Sequence, residues 1–520
     1  MIRAALVGVY LTSRGGAGLS ETQTTTRPVA GGPPVVAAGP PRSRTAHRLL
    51  RILPAGLTGA LMLGVGLLHA GRPTLSWDEV TSAEVASRSV PQILELIPNL
   101  DAVFGFYYLL LHWWTALAGT SEIALRLPSI VAMAGAVAAA AELGRRLFTP
   151  MTGLVTGLIL CMIPNMSRYA AEARPYAFAC FFAVLALLLL VKPKTPWFWY
   201  GLSILFTGLF HLVALTTLLA HAAFVVLHRR DRLAAWAGTV AAALVPLLPI
   251  AWLGLHQQDT QLHWVEPLTL GRLYGMPGSI AGSREVVWFL IGMVVLVSWR
   301  PLRRLAPIAL FAIGPLAVLA VVSALFSPMW VARYLLVVLA PLAMLAAVAL
   351  TGGRAGWPRY TVLRVVTVLL LLGAVAIPAQ RTVRGPTAKT GPDYRSVAAV
   401  ITARAVPGDV IVYPARNRSI RAGMDYYLRD PDSGFASPTA PADPLVRVPS
   451  AQTGWLIATE HTDAAAQVAF APRIWLVVGD RRADPLAARP DLRPLLTTDY
   501  HRSGVWHEKR ATIALYERNP

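Results

Sequence analysis

The chain has 520 residues, 55% of them hydrophobic and 14% charged, with a formal charge of +20 and a mean hydropathy of +0.53. Such apolarity excludes an ordinary soluble domain and fits a polytopic membrane protein with many runs near the ~20 residues that span a bilayer. The excess charge is arginine, since Lys192, Lys194, Lys389 and Lys509 are the only lysines. Much of it lies in loops between apolar runs, where anionic headgroups account for it without nucleic acid. Cys161 and Cys180 fall in or beside apolar runs with no CxxC spacing, so neither a zinc site nor a disulfide framework is supported.

Residues 1–45 mix Gly, Pro, Ser, Thr and Arg without apolar periodicity and read as a disordered cytoplasmic tail. Residues 46–380 are predicted to form about eleven transmembrane helices, starting near 50, 125, 151, 175, 197, 211, 233, 285, 305, 334 and 361. Arg145/Arg146, Lys192/Lys194, Arg229/Arg230/Arg232, Arg300/Arg303/Arg304 and Arg354/Arg359 fall at every second loop. The positive-inside rule puts those loops and the N-terminus in the cytoplasm and the C-terminus outside.

Trp77-Asp78-Glu79 then lies outside, in a loop of residues 71–124. Adjacent carboxylates cannot both face one point on a helix. Either one of them takes a proton from a hydroxyl at the lipid–water boundary, or the pair caps the stretch Val80 to Val90. The segment Asp101 to Gly119 is just long enough to span. If it crossed, every later basic loop would change sides, so it is predicted to lie along the outer surface. Tyr107, Tyr108, Trp113 and Trp114 then suit the headgroup belt, with His112 on the same helix.

Ser167 to Tyr176 carries two basic residues, Arg168 and Arg174, on the side that the rule leaves poor in them. Pro175 suits the first turn of the next helix and fixes Arg174 at its mouth. The pair binds either a lipid phosphate, which guanidinium matches with two parallel hydrogen bonds, or Glu172 in a loop ion pair. Arg333 is a third exception, as a phosphate ligand or an interface anchor. His211 and His221 stand roughly 15 Å apart at helical rise, too far to share a metal. A second outer loop, about 256–284, carries Gln257, Asp259, His263, Trp264 and Glu266. Residues 381–520 read as an extracytoplasmic α/β domain, with strands at 409–413, 455–458, 474–478 and 512–516 and a helix over 394–405.

SWDE, YYLLLHWW, SEIALRLPS, GRRLF, SRYAAEARPYAF and ARYLL, in that order over roughly residues 50–350, resemble the protein O-mannosyltransferase-like (glycosyltransferase family 39-like) branch of the GT-C glycosyltransferases. The resemblance implies a bacterial inner-membrane enzyme that takes a sugar, mannose by default, from a polyprenyl phosphate on the outer face. It matches Asp78 to the catalytic acid-loop aspartate and Glu172 to a second acidic residue near the donor phosphate. It also leaves room for a divalent metal on these two. Where relatives show His-Pro-Pro or Lys-Pro before the YYLLL stretch, this chain has Asp101-Ala102-Val103-Phe104, which makes Asp101 a further acidic candidate.

The expected function is an inverting transfer to a hydroxyl of a glycan, lipid or protein. Asp78, Glu79 and Glu172 are the catalytic candidates, and Arg168, Arg174 and Arg333 the phosphate ligands. Asp101, His112, Tyr176 and His211 are the acceptor or accessory candidates. A lipid-linked saccharide flippase is the rival. It should show internal repeats and polar residues near the midplane of several helices, and the sequence shows neither. A membrane-anchored scaffold would not explain the outward arginines.

Overall fold

The computed structural model describes residues 44–295, 302–352 and 359–520. The tail expected over residues 1–45 lies outside them apart from its last two residues. Helix α1 (Arg44–Leu67) leads into a long loop that carries α2 (Trp77–Ala86), α3 (Val90–Leu96) and α4 (Gly105–Ala118). The bundle continues with α5 (Glu122–Leu147), α6 (Pro150–Met162), α7 (Pro164–Ala170), α8 (Tyr176–Leu190), α9 (Trp197–Phe210), α10 (Leu218–His228), α11 (Leu233–Leu244) and α12 (Leu248–Leu262). It closes with α13 (Leu270–Ala281), α14 (Arg284–Val295), α15 (Leu302–Leu325), α16 (Leu339–Thr351) and α17 (Arg359–Thr382).

Among the described residues, five helices are long and apolar enough to cross a bilayer unaided. Two further pairs do so only as bent units, α6 with α7 at 72° and α13 with α14 at 96°. The first bend falls at Pro164, whose ring removes a helix N–H. The second falls at Gly282, with φ +79°. Eleven spans were expected; five to seven meet the length and apolarity needed, and the other four expected starts fall at the shorter apolar helices Leu53–Leu67, Tyr176–Leu190, Trp197–Phe210 and Leu212–His228. The remaining short one, Ala102–Ala118, is the segment expected to lie along the surface.

The C-terminal region adds α18 (Tyr394–Thr402), β1 (Val410–Val412), α19 (Arg418–Arg429), β2 (Val446–Val448), β3 (Thr459–Glu460), β4 (Arg473–Gly479), β5 (Tyr500–Glu508) and β6 (Ala511–Arg518). The main sheet has the order β1-β4-β6-β5, with β1 parallel to β4 and the other pairs antiparallel. The strand expected over 455–458 is a turn, and pairing begins only at Thr459. Side chains from the long loop explain this, because Asn99 Nδ2 and Arg88 Nη2 take the carbonyls of Gly454 and Trp455 at 3.0 and 2.8 Å.

Strand β4 is apolar on both sides. Ile474, Leu476 and Val478 face a core made wholly within the C-terminal region, whereas Trp475 and Val477 join a second core. That second core also contains Leu75, Val80, Ile93, Tyr107 and Leu111 of the long loop. The period-2 alternation of one strand therefore welds the C-terminal region to the segment that holds the acidic pair.

Candidate active site

Ser76 starts α2 with a capping box. Its hydroxyl accepts from Glu79 N at 3.2 Å, and its own N–H donates to Glu79 Oε2 at 2.9 Å. Glu79 is wholly buried and accepts three more hydrogen bonds, from Arg126 Nε at 2.8 Å, Arg126 Nη2 at 3.1 Å and Ala173 N at 3.1 Å. The same guanidinium donates to the carbonyls of Ala70, Pro73 and Thr74. Burial alone would favour the neutral acid, but Arg126 and Lys389 outweigh it and hold the Glu79 carboxyl far below its ordinary range. Glu79, a catalytic candidate from sequence, is thus saturated and enclosed, and its place is to fix the turn that leads into Asp78.

One residue back and about 100° around the helix, Asp78 points elsewhere. Its Oδ2 accepts from Arg333 Nη1 at 3.1 Å, with both side chains about one-quarter exposed. Burial raises its pKa, and the guanidiniums of Arg174 and Arg333 bring it below the ordinary aspartate value. Arg174 is buried, donates from Nη1 to Ser82 Oγ at 3.3 Å, and lies 4.0 Å over the Phe104 ring. Arg333 is bordered by the rings of Trp264, Tyr176 and Tyr334. The His211 ring lies 4.7 Å from that of Tyr334 and 5.6 Å from that of Tyr176, tilted by 53° and 55°.

Three buried polar atoms in this group have no hydrogen-bond partner: Arg174 Nε, Arg333 Nε and the Tyr176 hydroxyl. Unused donors of this kind around one carboxylate suit an anionic ligand with several oxygens. From Phe104, His211 and Tyr334 an apolar cavity of about 350 Å³ runs between α12 and α15, lined by Leu255, Leu262 and Leu319.

Other candidates lie apart from this group. Glu172 does not pair with the Arg174 side chain. It accepts from Lys389 Nζ at 3.1 Å, with Arg168 Nε 4.0 Å away, so Arg168 keeps company with Lys389 and not with Arg174. Asp101, at φ +59°, accepts from Tyr108 Oη at 2.8 Å and from Gln261 Nε2 at 3.2 Å, which braces the long loop against α12. The His112 ring bonds the Ala86 carbonyl at 2.9 Å and ties α4 to α2. Among the described residues no three His, Cys, Asp or Glu side chains come together to hold a metal ion. Asp78 and Glu172 each face a cation in a separate cluster, and this donor set does not fit a divalent metal.

Sequence reasoning missed Arg126 and Lys389. Arg126 stands inside the SEIALRLPS stretch, and Lys389 is one of four lysines in the chain and follows the last apolar run; these are the signals by which they could have been found. Gly391 was also missed. Its φ is +110°, and a Cβ there would sit 2.6 Å from Trp77 Cδ1, while Trp77 N donates to Thr390 O at 3.2 Å. Gly391→Ala is expected to cost about 1–3 kcal/mol and to lower the thermal midpoint and the activity together, because the strain falls on the residue before Asp78.

Two solved structures of ArnT from Cupriavidus metallidurans share the fold. The form bound to undecaprenyl phosphate aligns with a TM-score of 0.56 and 15% identity over 91% of this chain and 98% of ArnT. The apo form gives 0.57 and 14% over the same shares. No curated protein matches the sequence significantly. At these identities the likeness is one of fold, a polytopic helical membrane protein with a C-terminal α/β region. Residues 105–259, less than a third of the chain, match the family described as dolichyl-phosphate-mannose-protein mannosyltransferase.

Proposed function

We propose that Asp78, Arg174 and Arg333 form the centre of an inverting sugar transfer on the extracytoplasmic face of a bacterial inner membrane, with mannose as the first sugar to test. The observation that carries this reading is the pair of guanidiniums with unused N–H groups flanking one carboxylate, with Phe104 under Arg174 and Tyr334 beside Arg333 both lining an apolar cavity. The lipid phosphate of the donor takes those donors, and its isoprenoid tail lies in the cavity lined by Leu255 and Leu319. The undecaprenyl phosphate bound to ArnT supports this choice of donor.

As the bond from the anomeric carbon to the phosphate oxygen breaks, charge grows on the phosphate, and donors fixed in a water-poor cleft stabilise it. The acceptor hydroxyl attacks the anomeric carbon from the opposite face and gives its proton to Asp78. In the free protein Asp78 is engaged by Arg333 and is a weak base. A bound phosphate draws the guanidinium away and adds its own negative charge, both of which raise the affinity of Asp78 for a proton.

Membranes supplied with a panel of radiolabelled polyprenyl-phosphate sugars test the reading. Wild type is expected to transfer at least one sugar. Arg333→Gln is expected to raise the donor KM roughly 10- to 100-fold, the loss of one charge-assisted phosphate contact. Absence of transfer from every donor, or an unchanged donor KM in the variant, would sink it.

A further inference from the structure

A second cationic cavity lies apart from the Asp78 group, where the ends of α1, α7 and α17 meet. It is lined by Leu68, His69, Ser167, Arg168, Arg384 and Lys389. Two atoms on its wall are buried without a hydrogen-bond partner, Ser167 Oγ and Arg168 Nε, and Ser167 is only 4% exposed. Arg384 is held by neutral acceptors alone, the carbonyls of Gln380 and Val65 and the Gln380 side chain. Lys389 Nζ donates to Ala171 O at 2.6 Å and to Glu172 at 3.1 Å.

Arg168, Arg384 and Lys389 thus share Glu172 and, through Lys389 alone, the more distant Glu79 at 3.8 Å, whose charge Arg126 already balances. Uncompensated charge at a buried site is costly, so the cluster calls for a further anion. The enclosed space is about 10 Å³, room for one oxygen-sized atom and not for a sugar. Leu68, on the rim, is 56% exposed. Arg384 stands two residues beyond the last residue of α17 and His69 two beyond that of α1, at the level where apolar span gives way to polar chain.

We infer that this cavity takes one phosphate oxygen of an anionic phospholipid, with the headgroup across Arg168, Ser167 and Arg384 and an acyl chain along Leu68. The inference is separate from the donor site and stands whether or not that reading does. A phosphate ester or free phosphate offers the same oxygen. The exposed apolar rim favours the lipid.

The test is native mass spectrometry of the delipidated full chain titrated with phosphatidylglycerol, and in a parallel arm with inorganic phosphate. Arg384→Gln is expected to weaken phosphatidylglycerol binding roughly tenfold and Ser167→Ala to weaken it by about threefold, the loss of one neutral hydrogen bond. Arg384→Lys should restore part of the affinity, and Arg333→Gln should leave it at the wild-type level. Unfolding midpoints of the Arg384 variants show that they remain folded. Equal phosphatidylglycerol binding by wild type, Arg384→Gln and Ser167→Ala overturns the inference. So does inorganic phosphate binding that depends on Arg384 when lipid binding does not, since the ligand is then a soluble anion.

Discussion

Asp78→Asn should lower kcat by roughly 10²- to 10⁴-fold, the usual worth of a positioned general base, while the donor KM stays within a few-fold of wild type. The amide keeps the size of the carboxylate but accepts no proton. It also removes the anion that competes with the donor phosphate for Arg333, 3.1 Å away, so donor binding does not suffer. The pH profile adds a second readout. In the free protein, Arg174 and Arg333 overcome the effect of burial and hold the Asp78 carboxyl below its ordinary value. Its contribution to stability is therefore present above the unfolded aspartate pKa of about 3.9 and is lost only as pH falls through the depressed folded value. With donor bound, the phosphate offsets the guanidiniums and the carboxyl titrates higher. The acid limb of kcat, which reports the complex, should lie at higher pH than the acid limb of kcat/KM, which reports the free enzyme. Coincident limbs, or full activity in Asp78→Asn, would remove Asp78 from the chemistry.

Arg126→Met should destabilise the protein by about 3–5 kcal/mol, the cost of breaking a buried ion pair from one side. Arg126 and Glu79 are both 0% exposed, and the substitution also strips the carbonyls of Ala70, Pro73 and Thr74 of their donor. The pH dependence should change sign as well. In wild type the depressed Glu79 stabilises the fold above the unfolded glutamate pKa of about 4.3. That contribution disappears as pH falls through the folded value. In the variant, burial outweighs the remaining Lys389 at 3.8 Å and raises the Glu79 pKa. The variant then loses stability as pH rises from about 5 to 8. Adding Glu79→Met should recover part of the loss, because a neutral apolar pair leaves no charge stranded. Denaturant midpoints of the single and double variants across this pH range check the argument.

Much of the architecture was legible because hydropathy reports directly on a bilayer. The segment starts near 125, 305, 334 and 361 fall at helices the structure contains, and Pro164 and Gly282 mark bends that a hydropathy window averages away. Strands β1, β4 and β6 showed as apolar β-branched runs. β5 did not, because Tyr500–Glu508 is a partly exposed strand at the sheet edge in which polar residues interrupt the apolar ones. Asp78, Arg174 and Arg333 were visible as charges out of place. The division of labour within Asp78-Glu79 was not, since it depends on Arg126, 47 positions away from Glu79, and helical period alone only says that the two point apart. The partner of Glu172 was hidden for the same reason. A neighbour in sequence, Arg174, was the natural choice, whereas Lys389 lies 217 residues further on.

The core shared between the long loop and the C-terminal region has a consequence for biosynthesis. Tyr427, whose hydroxyl accepts from Leu75 N at 3.0 Å, follows Leu75 by 352 residues. At a ribosomal rate of about 5–20 residues per second, the loop emerges roughly 20–70 s before the chain that covers it. During that interval the apolar side of Leu75, Val80 and Ile93 has no permanent neighbour, and membrane lipid or a chaperone must shelter it. A polypeptide halted before residue 394 would carry its apolar helices and still lack the partner that completes the core around this loop.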